Sequence, residues 1–128
     1  VTAHLILGLP GEARVGMLEA AGRLSALPIA ALKLHQLQLV HGTAMARDWE
    51  RDPASVPLLA EDEYIALLAD FVERLAPTIL LQRLGSEVPP ALKLAPQWTI
   101  RLSELAPRLS AELARRESWQ GRRYQPAS

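Results

Sequence analysis

The sequence predicts an α/β fold in which three parallel strands alternate with helices. Three short apolar segments, residues 1–7, 31–40 and 78–84, have the length and the near-continuous hydrophobicity of strands that are covered on both faces. Each is followed by a segment whose apolar residues recur at helical spacing, and such an order implies a parallel sheet with right-handed crossovers. A closed barrel of strands and helices takes about 250 residues, so we expect this chain to be part of a larger barrel.

The first strand and helix are separated by a glycine-rich turn. Residues 1–7 end at the sequence Gly-Leu-Pro-Gly of residues 8–11, which is typical of a tight turn after a buried strand. Pro28 bounds the helix that follows. The apolar stripe of that helix consists of Met17, Leu18, Ala21, Leu24 and Leu27.

The second strand is predicted over residues 31–40 and ends before Gly42. Thr43 is a suitable N-cap for a short helix through Trp49, because its hydroxyl can accept a backbone amide. Residues 52–60, with two prolines, are expected to form a loop. The acids at positions 61–63 suit the positive start of the next helix. That helix carries the stripe Tyr64, Leu68, Phe71 and Leu75.

The last third of the chain is predicted to extend the barrel part. After the third strand, residues 85–96 read as a loop and residues 98–117 as a helix that Pro107 should kink or delay. The polar residues 118–128 are expected to form a loosely held tail. We therefore divide the chain into a barrel part, residues 1–84, and a C-terminal extension, residues 85–128.

The composition limits the classes of function. The chain has 128 residues, 14 basic and 14 acidic, so its field does not attract nucleic acid or anionic lipid in general. It has no cysteine, which excludes disulfides and thiolate metal sites in these residues. No apolar run reaches about twenty residues, so we expect no membrane association, and a cytoplasmic location. A start within an apolar strand suggests that sequence precedes it.

Candidate binding residues follow the strands, because ligands of parallel folds gather at the carboxyl ends of strands. Gly8 lacks a Cβ and could allow the backbone to approach a ligand, or it could serve an ordinary turn. Lys33 and His35 lie two residues apart and share one strand face, with Leu32 and Leu34 on the other. The pattern is compatible with a structural Lys–His pair and with a catalytic pair.

The other histidines and the C-terminal arginines give weaker signals. No histidine spacing indicates a metal site; His4 is expected to be a buried, hydrogen-bonded strand residue and His41 to be solvated. The arginines near the C-terminus are interleaved with aromatic residues, a combination that can bind RNA or form a solvated surface. This cluster comprises Arg115, Arg116, Arg122 and Arg123, with Trp119 and Tyr124.

Several ordered blocks resemble the radical S-adenosylmethionine (SAM) superfamily, and most closely its YhcC-type subgroup. The blocks are HLILGLPGE (4–12), LKLHQLQLVHGT (32–43), EDEYIALLADFVERL (61–75), QRLGSEVPPALKLAPQW (82–98) and SWQG (118–121). The chain is more distantly similar to the elongator catalytic subunit and to oxygen-independent coproporphyrinogen dehydrogenase. The resemblance covers nearly the whole chain.

The resemblance implies the C-terminal part of a partial (β/α)₆ barrel, with the fifth and sixth barrel strands first in this chain. In that family a CxxxCxxC loop binds a 4Fe–4S cluster, which chelates SAM and cleaves it to a 5′-deoxyadenosyl radical. The cluster ligands would lie upstream, so this chain alone is not expected to be active. Its partners would be the upstream part of the same barrel and an unknown substrate, possibly RNA.

The resemblance also implies cofactor-binding residues. Ile6 and Gly8 align with the fifth-strand motif that packs against the adenine of SAM, although Glu12 falls one place later than the acid of that motif. The turn residues Leu9 and Pro10 would lie beside them. Residues at the top of the sixth strand, Lys33, His35 and Leu37, would lie near the adenosyl group.

One substitution, at Gly8, would test this interpretation of the sequence. A valine at Gly8 is expected to occupy the adenine's space and to weaken SAM binding. The alternatives are a non-catalytic interaction or RNA-contacting module, and another barrel enzyme that uses the Gly8 turn to bind phosphate.

Overall fold

The computed structural model describes residues 2–9, 13–89, 91–98 and 100–126. The strands are β1 (Thr2–Leu7), β2 (Ala31–Gln36), β3 (Leu39–Val40), β4 (Leu80–Arg83) and β5 (Lys93–Ala95). The helices are α1 (Arg14–Ser25), α2 (Ala44–Arg51), α3 (Glu61–Glu73) and α4 (Leu105–Arg115), with 3₁₀ turns at Pro53–Ser55 and Leu102–Glu104. Among these described elements, no helix has both the length and the apolarity to cross a bilayer.

The main sheet has the strand order β1-β2-β4, and both pairs of neighbours are parallel. In the register of β1 and β2, His4 lies opposite Lys33 and Ile6 opposite His35. The register of β2 and β4 shifts between Leu32 and Lys33. The predicted α/β fold, with three parallel strands in one sheet that alternate with helices, is therefore confirmed.

The core lies between one face of this sheet and the helices α1, α3 and α4. The sheet contributes Leu7, Leu32 and Leu34 to this core, and all three are fully buried. From the helices come Met17, Ala20 and Ala21 of α1, Tyr64, Ile65, Leu67, Leu68, Ala69, Phe71 and Val72 of α3, and Leu105 and Leu109 of α4. Among the described residues, helices pack on this face of the sheet only, and exposed and half-buried residues alternate along β1 up to Leu7.

The second strand ends earlier than predicted. Pairing stops at Gln36, and residues 39–40 form β3, which pairs antiparallel with β5 in a separate two-stranded sheet. β5 lies within the predicted loop 85–96, so that prediction is wrong in part. The side-chain amides of Gln36 and Gln38 both donate to the carbonyl oxygen of Ser86 at 2.9 Å, which ties the departing chain to the segment after β4.

The helix starts follow their local chemistry. Thr43 Oγ1 accepts the amide of Ala46 at 3.2 Å, so the predicted cap of α2 is confirmed. Ala60, which precedes α3, has no side-chain acceptor, and Glu63 compensates by accepting the Ala60 amide at 3.0 Å. Pro107 lies in the first turn of α4, where no intrahelical amide donor is needed, and so delays rather than kinks the helix.

Residues 118–126 do not form the loose tail that we expected. Ser118 Oγ donates to the carboxylate of Glu73 at 2.5 Å, and the amide of Arg123 donates to the Glu73 carbonyl at 2.7 Å. Between them the amide of Gly121 donates to the Val72 carbonyl at 3.0 Å. This docked C-terminal segment is held mainly by hydrogen bonds, and its Tyr124 also packs against the core.

Gly121 has a conformation that only glycine adopts readily. Its φ is 90°, and a Cβ placed on it would lie 2.8 Å from Cδ of Pro77. The glycine therefore allows the docked C-terminal segment to pass close to the chain that leaves α3.

Candidate functional site

The side of the main sheet that faces away from the helices is open to solvent. Ile6 is 41% exposed and Leu80 is 60% exposed on the two outer strands of this sheet, which is unusual for large apolar residues. This open face carries His4, Ile6, Lys33, His35, Leu80 and Arg83. The pleat explains the division, since alternate residues of each strand point to opposite faces.

Two histidines stack on the open face. Nδ1 of His4 lies 3.2 Å from Nε2 of His35, with one nitrogen donating and the other accepting. The ring centroids are 5.4 Å apart and the planes differ by 5°. The expectation of a buried His4 is wrong, because its strand position falls on the uncovered face, whereas its predicted hydrogen bond is present. His41 is exposed, as expected.

Positive charge surrounds this pair. Partial burial lowers the pKa of His35, and the nearby His4, Arg83 and Lys33 lower it further. The register shift of β4 pairs Arg83, rather than Gln82, with Lys33. Within the described residues, no carboxylate lies within salt-bridge distance of Lys33 or Arg83. The open face thus carries two permanent cations and two imidazoles without a paired acid.

The predicted turn residues lie at the carboxyl edge of this face. Gly8 has a φ of 93°, and a Cβ on it would lie 3.3 Å from Cδ1 of Leu59. A valine there would therefore meet Leu59 and strain the backbone, which removes the steric basis of the expectation that it would fill a ligand's space. Leu9 is half-buried, and Pro10 lies outside the described residues.

Leu37 does not lie on the open face with Ile6, Lys33 and His35, although it lines a small cavity with Gly8. It packs against a second apolar cluster formed by Leu39, Ala46, Val56 and Ala95, and its amide donates to the Leu7 carbonyl at 3.2 Å. The structure therefore brings Ile6, Lys33 and His35 together on the open face, with Gly8 and Leu9 at its edge. The sequence pattern assigned Leu37 to a strand that ends one residue before it.

A cavity of about 280 Å³ lies beyond the carboxyl end of β2, and sequence reasoning missed it. Its lining includes Gln36, Gln38, Ser86, Lys93, Trp98 and Arg101. The Ser86 amide donates to Gln36 Oε1 at 2.9 Å, and the Trp98 indole donates to the Leu59 carbonyl at 3.0 Å. The two glutamines in an otherwise apolar run were the available signal.

The described residues offer no ready metal centre. The chain contains no cysteine. Across the described ranges, no group of three or more histidine, aspartate or glutamate residues is arranged to hold an ion.

The C-terminal arginines are largely used in intramolecular ion pairs. Arg115 and Arg116 both bind Glu112 at 2.6 Å, which lowers the pKa of that carboxyl to about 2. Arg123 lies 3.6 Å from Glu73. Arg122 instead stacks on the ring of Trp119, 5.6 Å from its centroid. Contact with RNA through this cluster stays a prediction.

Comparison with known proteins gives a consistent family relationship. The family model described as Radical_SAM C-terminal domain matches residues 29–115. The uncharacterized protein MJ0486 of Methanocaldococcus jannaschii is 38% identical over 125 residues, which are 97% of this chain and 38% of that protein. YtqA of Bacillus subtilis is 32% identical over 125 residues, 98% of this chain and 38% of that protein.

Two further comparisons extend this result. The protein YhcC of Escherichia coli is 30% identical over 98 residues, which are 77% of this chain and 31% of that protein. The archaeal Methanocaldococcus infernus Elp3 with an N-terminal deletion superposes with a TM-score of 0.77 at 15% identity, over 94% of this chain and 28% of that one. The chain therefore spans less than two fifths of the length of these relatives.

Proposed function

This chain belongs to the family of Radical_SAM C-terminal domains, and we propose that it forms the C-terminal part of an enzyme that cleaves SAM reductively at a 4Fe–4S cluster. The observation that carries the proposal is the open face of the parallel sheet. Helices cover the other face only, as in the wall of a barrel whose remaining strands belong to another part of the protein.

The open face has the character of a barrel interior rather than of a protein surface. Ile6 and Leu80 expose large apolar side chains on the face that carries the stacked histidines. An exposed apolar surface of this kind usually marks a binding surface. We infer that the upstream part of the same barrel covers it, so that these side chains line the space in which SAM and the substrate bind.

The chain's own residues fit SAM but not the cluster. Iron–sulfur clusters are held mainly by cysteine thiolates, which this chain lacks, so their ligands would come from upstream. When bound, the cluster and SAM supply the radical chemistry. Ile6 would pack against the adenosyl group, the Gly8 backbone would bound it at the sheet edge, and Leu9, Lys33 and His35 would help to exclude water.

The alternatives have less support. The family relationship disfavours an unrelated barrel enzyme that binds phosphate at the Gly8 turn. A non-catalytic module would need no cluster in the full-length protein that contains this chain. Its substrate and any RNA contact remain to be identified.

The first experiment compares the full-length protein with this chain alone. After anaerobic reconstitution, the full-length protein should bind iron and sulfide and convert SAM to 5′-deoxyadenosine under reducing conditions. The isolated chain should take up no cluster, because it offers no thiolates. A reconstituted full-length protein that neither binds a cluster nor cleaves SAM would reject the proposal in favour of a non-catalytic module.

The second experiment tests the open face. Ile6→Ala in the full-length protein should weaken SAM binding roughly 10-fold, because it removes apolar contact with the adenosyl group. Val15→Ala is the matched control, since Val15 is 66% exposed on α1 and lies away from this face. Equal SAM affinities for both variants would remove Ile6 from the binding site.

A further inference from the structure

We propose that His4, Lys33, His35 and Arg83 form an oxyanion-binding site, which holds a carboxylate or phosphate group of a ligand inside the barrel. The proposal rests on the proposed function for one point only, that the open face lines the barrel interior. Its geometry comes from three neighbouring strands of the sheet.

The four side chains converge because of the strand register. Lys33 lies opposite His4 on one side and opposite Arg83 on the other. Neighbouring strands are about 4.8 Å apart, so the three side chains span roughly 10 Å. His35 is one pleat further along β2 and contacts His4 at 3.2 Å. Without the register shift, Gln82 would oppose Lys33, so the irregularity brings a cation to this place.

Within the described residues, the titratable groups that lower the pKa of His35 are all basic: His4 from β1, Lys33 from β2 and Arg83 from β4. Helix α3 packs on the opposite face of the sheet, and two of its acids, Asp70 and Glu73, pair with Arg116. Cations that are enclosed without a counter-charge are costly. Nitrogen donors on lysine, arginine and imidazole make charge-assisted hydrogen bonds to oxyanions, so an oxyanion satisfies all four groups.

The position of these four basic side chains along the strands bears on the source of the oxyanion. Two sources share the chemistry, the carboxylate of SAM and an acidic group of the substrate. His4 and Lys33 lie one pleat deeper than Ile6 and His35, about 7 Å along the strands from the residue that would pack against the adenosyl group. This spacing is compatible with both sources, which the experiment below distinguishes.

The test uses full-length protein without its cluster and inorganic phosphate as the probe. Phosphate should raise the pKa of the His35 imidazole, followed by NMR, and should raise the melting temperature. Lys33→Met and Arg83→Met should each weaken phosphate binding roughly 10-fold or more, because each removes a charge-assisted contact. Arg23→Met, on the exposed surface of α1, is the charge-matched control and should bind phosphate normally.

The outcomes separate the possibilities. Unchanged phosphate affinity at saturating SAM would support the site and assign the oxyanion to the substrate, whereas mutually exclusive binding would support the site and assign it to the SAM carboxylate. No response of the His35 imidazole to phosphate, or an equal loss of phosphate affinity in Arg23→Met, would overturn the site. Either result would indicate that an acid from the rest of the barrel neutralises these four basic side chains. Phosphate binding is independent of SAM cleavage, so failure of the proposed function would be seen separately.

Discussion

Replacing Glu73 by glutamine is expected to loosen the docked C-terminal segment, residues 118–126. Glu73 is 2% exposed and lies at the end of α3. Its carboxylate accepts hydrogen bonds from Arg116 Nη1 at 3.1 Å and from Ser118 Oγ at 2.5 Å. Glutamine keeps the shape but removes the charge, and its amide nitrogen cannot accept from either donor.

The expected cost follows from the partners that remain. Breaking a buried ion pair costs about 3–5 kcal/mol when the other charge is left unpaired. Here Arg116 keeps Asp70 at 2.7 Å and Glu112 at 2.6 Å, so it is not left alone. The main loss is one or two charge-assisted hydrogen bonds, which lowers the free energy of unfolding by about 2–3 kcal/mol.

Two measurements on the full-length protein check this value. Denaturant unfolding gives the change in free energy, and hydrogen exchange of the Gly121 and Arg123 amides reports release of the segment, since both bond to the end of α3. Asp62→Asn is the control. Asp62 pairs with Arg108 at 3.0 Å, but because its side chain is 93% exposed, the loss of this pair should lower the free energy of unfolding by only about 0–1 kcal/mol. If Glu73→Gln costs no more than this control, the buried carboxylate does not anchor the segment.

Three further variants test other parts of the structure. Gly121→Ala should lower the free energy of unfolding by at least ~1–2 kcal/mol, because the φ of Gly121 is positive. Gly16→Ala in α1 should instead raise it by about 0.4–1 kcal/mol, because the added Cβ meets nothing within 4 Å. Melting temperatures that fail to separate the two variants would contradict this reasoning. Tyr64→Phe removes the hydrogen bond to the Leu84 carbonyl at 2.6 Å and should cost about 1–3 kcal/mol in urea unfolding, and no cost would show that the buried carbonyl needs no donor. The pKa of His35 lies below 6.5 in the folded chain, so the unfolded state binds more protons and the free energy of unfolding should rise with pH up to that value. His35→Asn should flatten this part of the pH profile of stability. An unchanged profile would assign the slope to other groups.

Sequence periodicity was sufficient for the order of the main-sheet strands and the helices, but not for β3 and β5. The stripe of Tyr64, Leu68 and Phe71 predicted α3, and all three residues are fully buried. The assignment of Leu32 and Leu34 to the core face, opposite Lys33, is likewise confirmed, because strand alternation is a local property of the backbone.

The site was only partly predictable for a physical reason. The pattern placed Lys33 and His35 on one face, whereas only the family resemblance placed Leu37 near the adenosyl group, at the top of the sixth barrel strand. Where a strand ends depends on which partner its amides meet, and the bonds of Gln36 and Gln38 to Ser86 join positions about fifty residues apart.

By itself, then, the sequence determined the α/β order, the family resemblance and the apolar stripes, since each depends on residues that are near one another in the chain. Tertiary structure alone decided that His4 stacks on His35, that Arg83 opposes Lys33, and that the polar residues after Ser118 dock on Glu73. These contacts join distant segments, and their formation depends on register and on which face of the sheet the helices cover. Local periodicity carries no information on either.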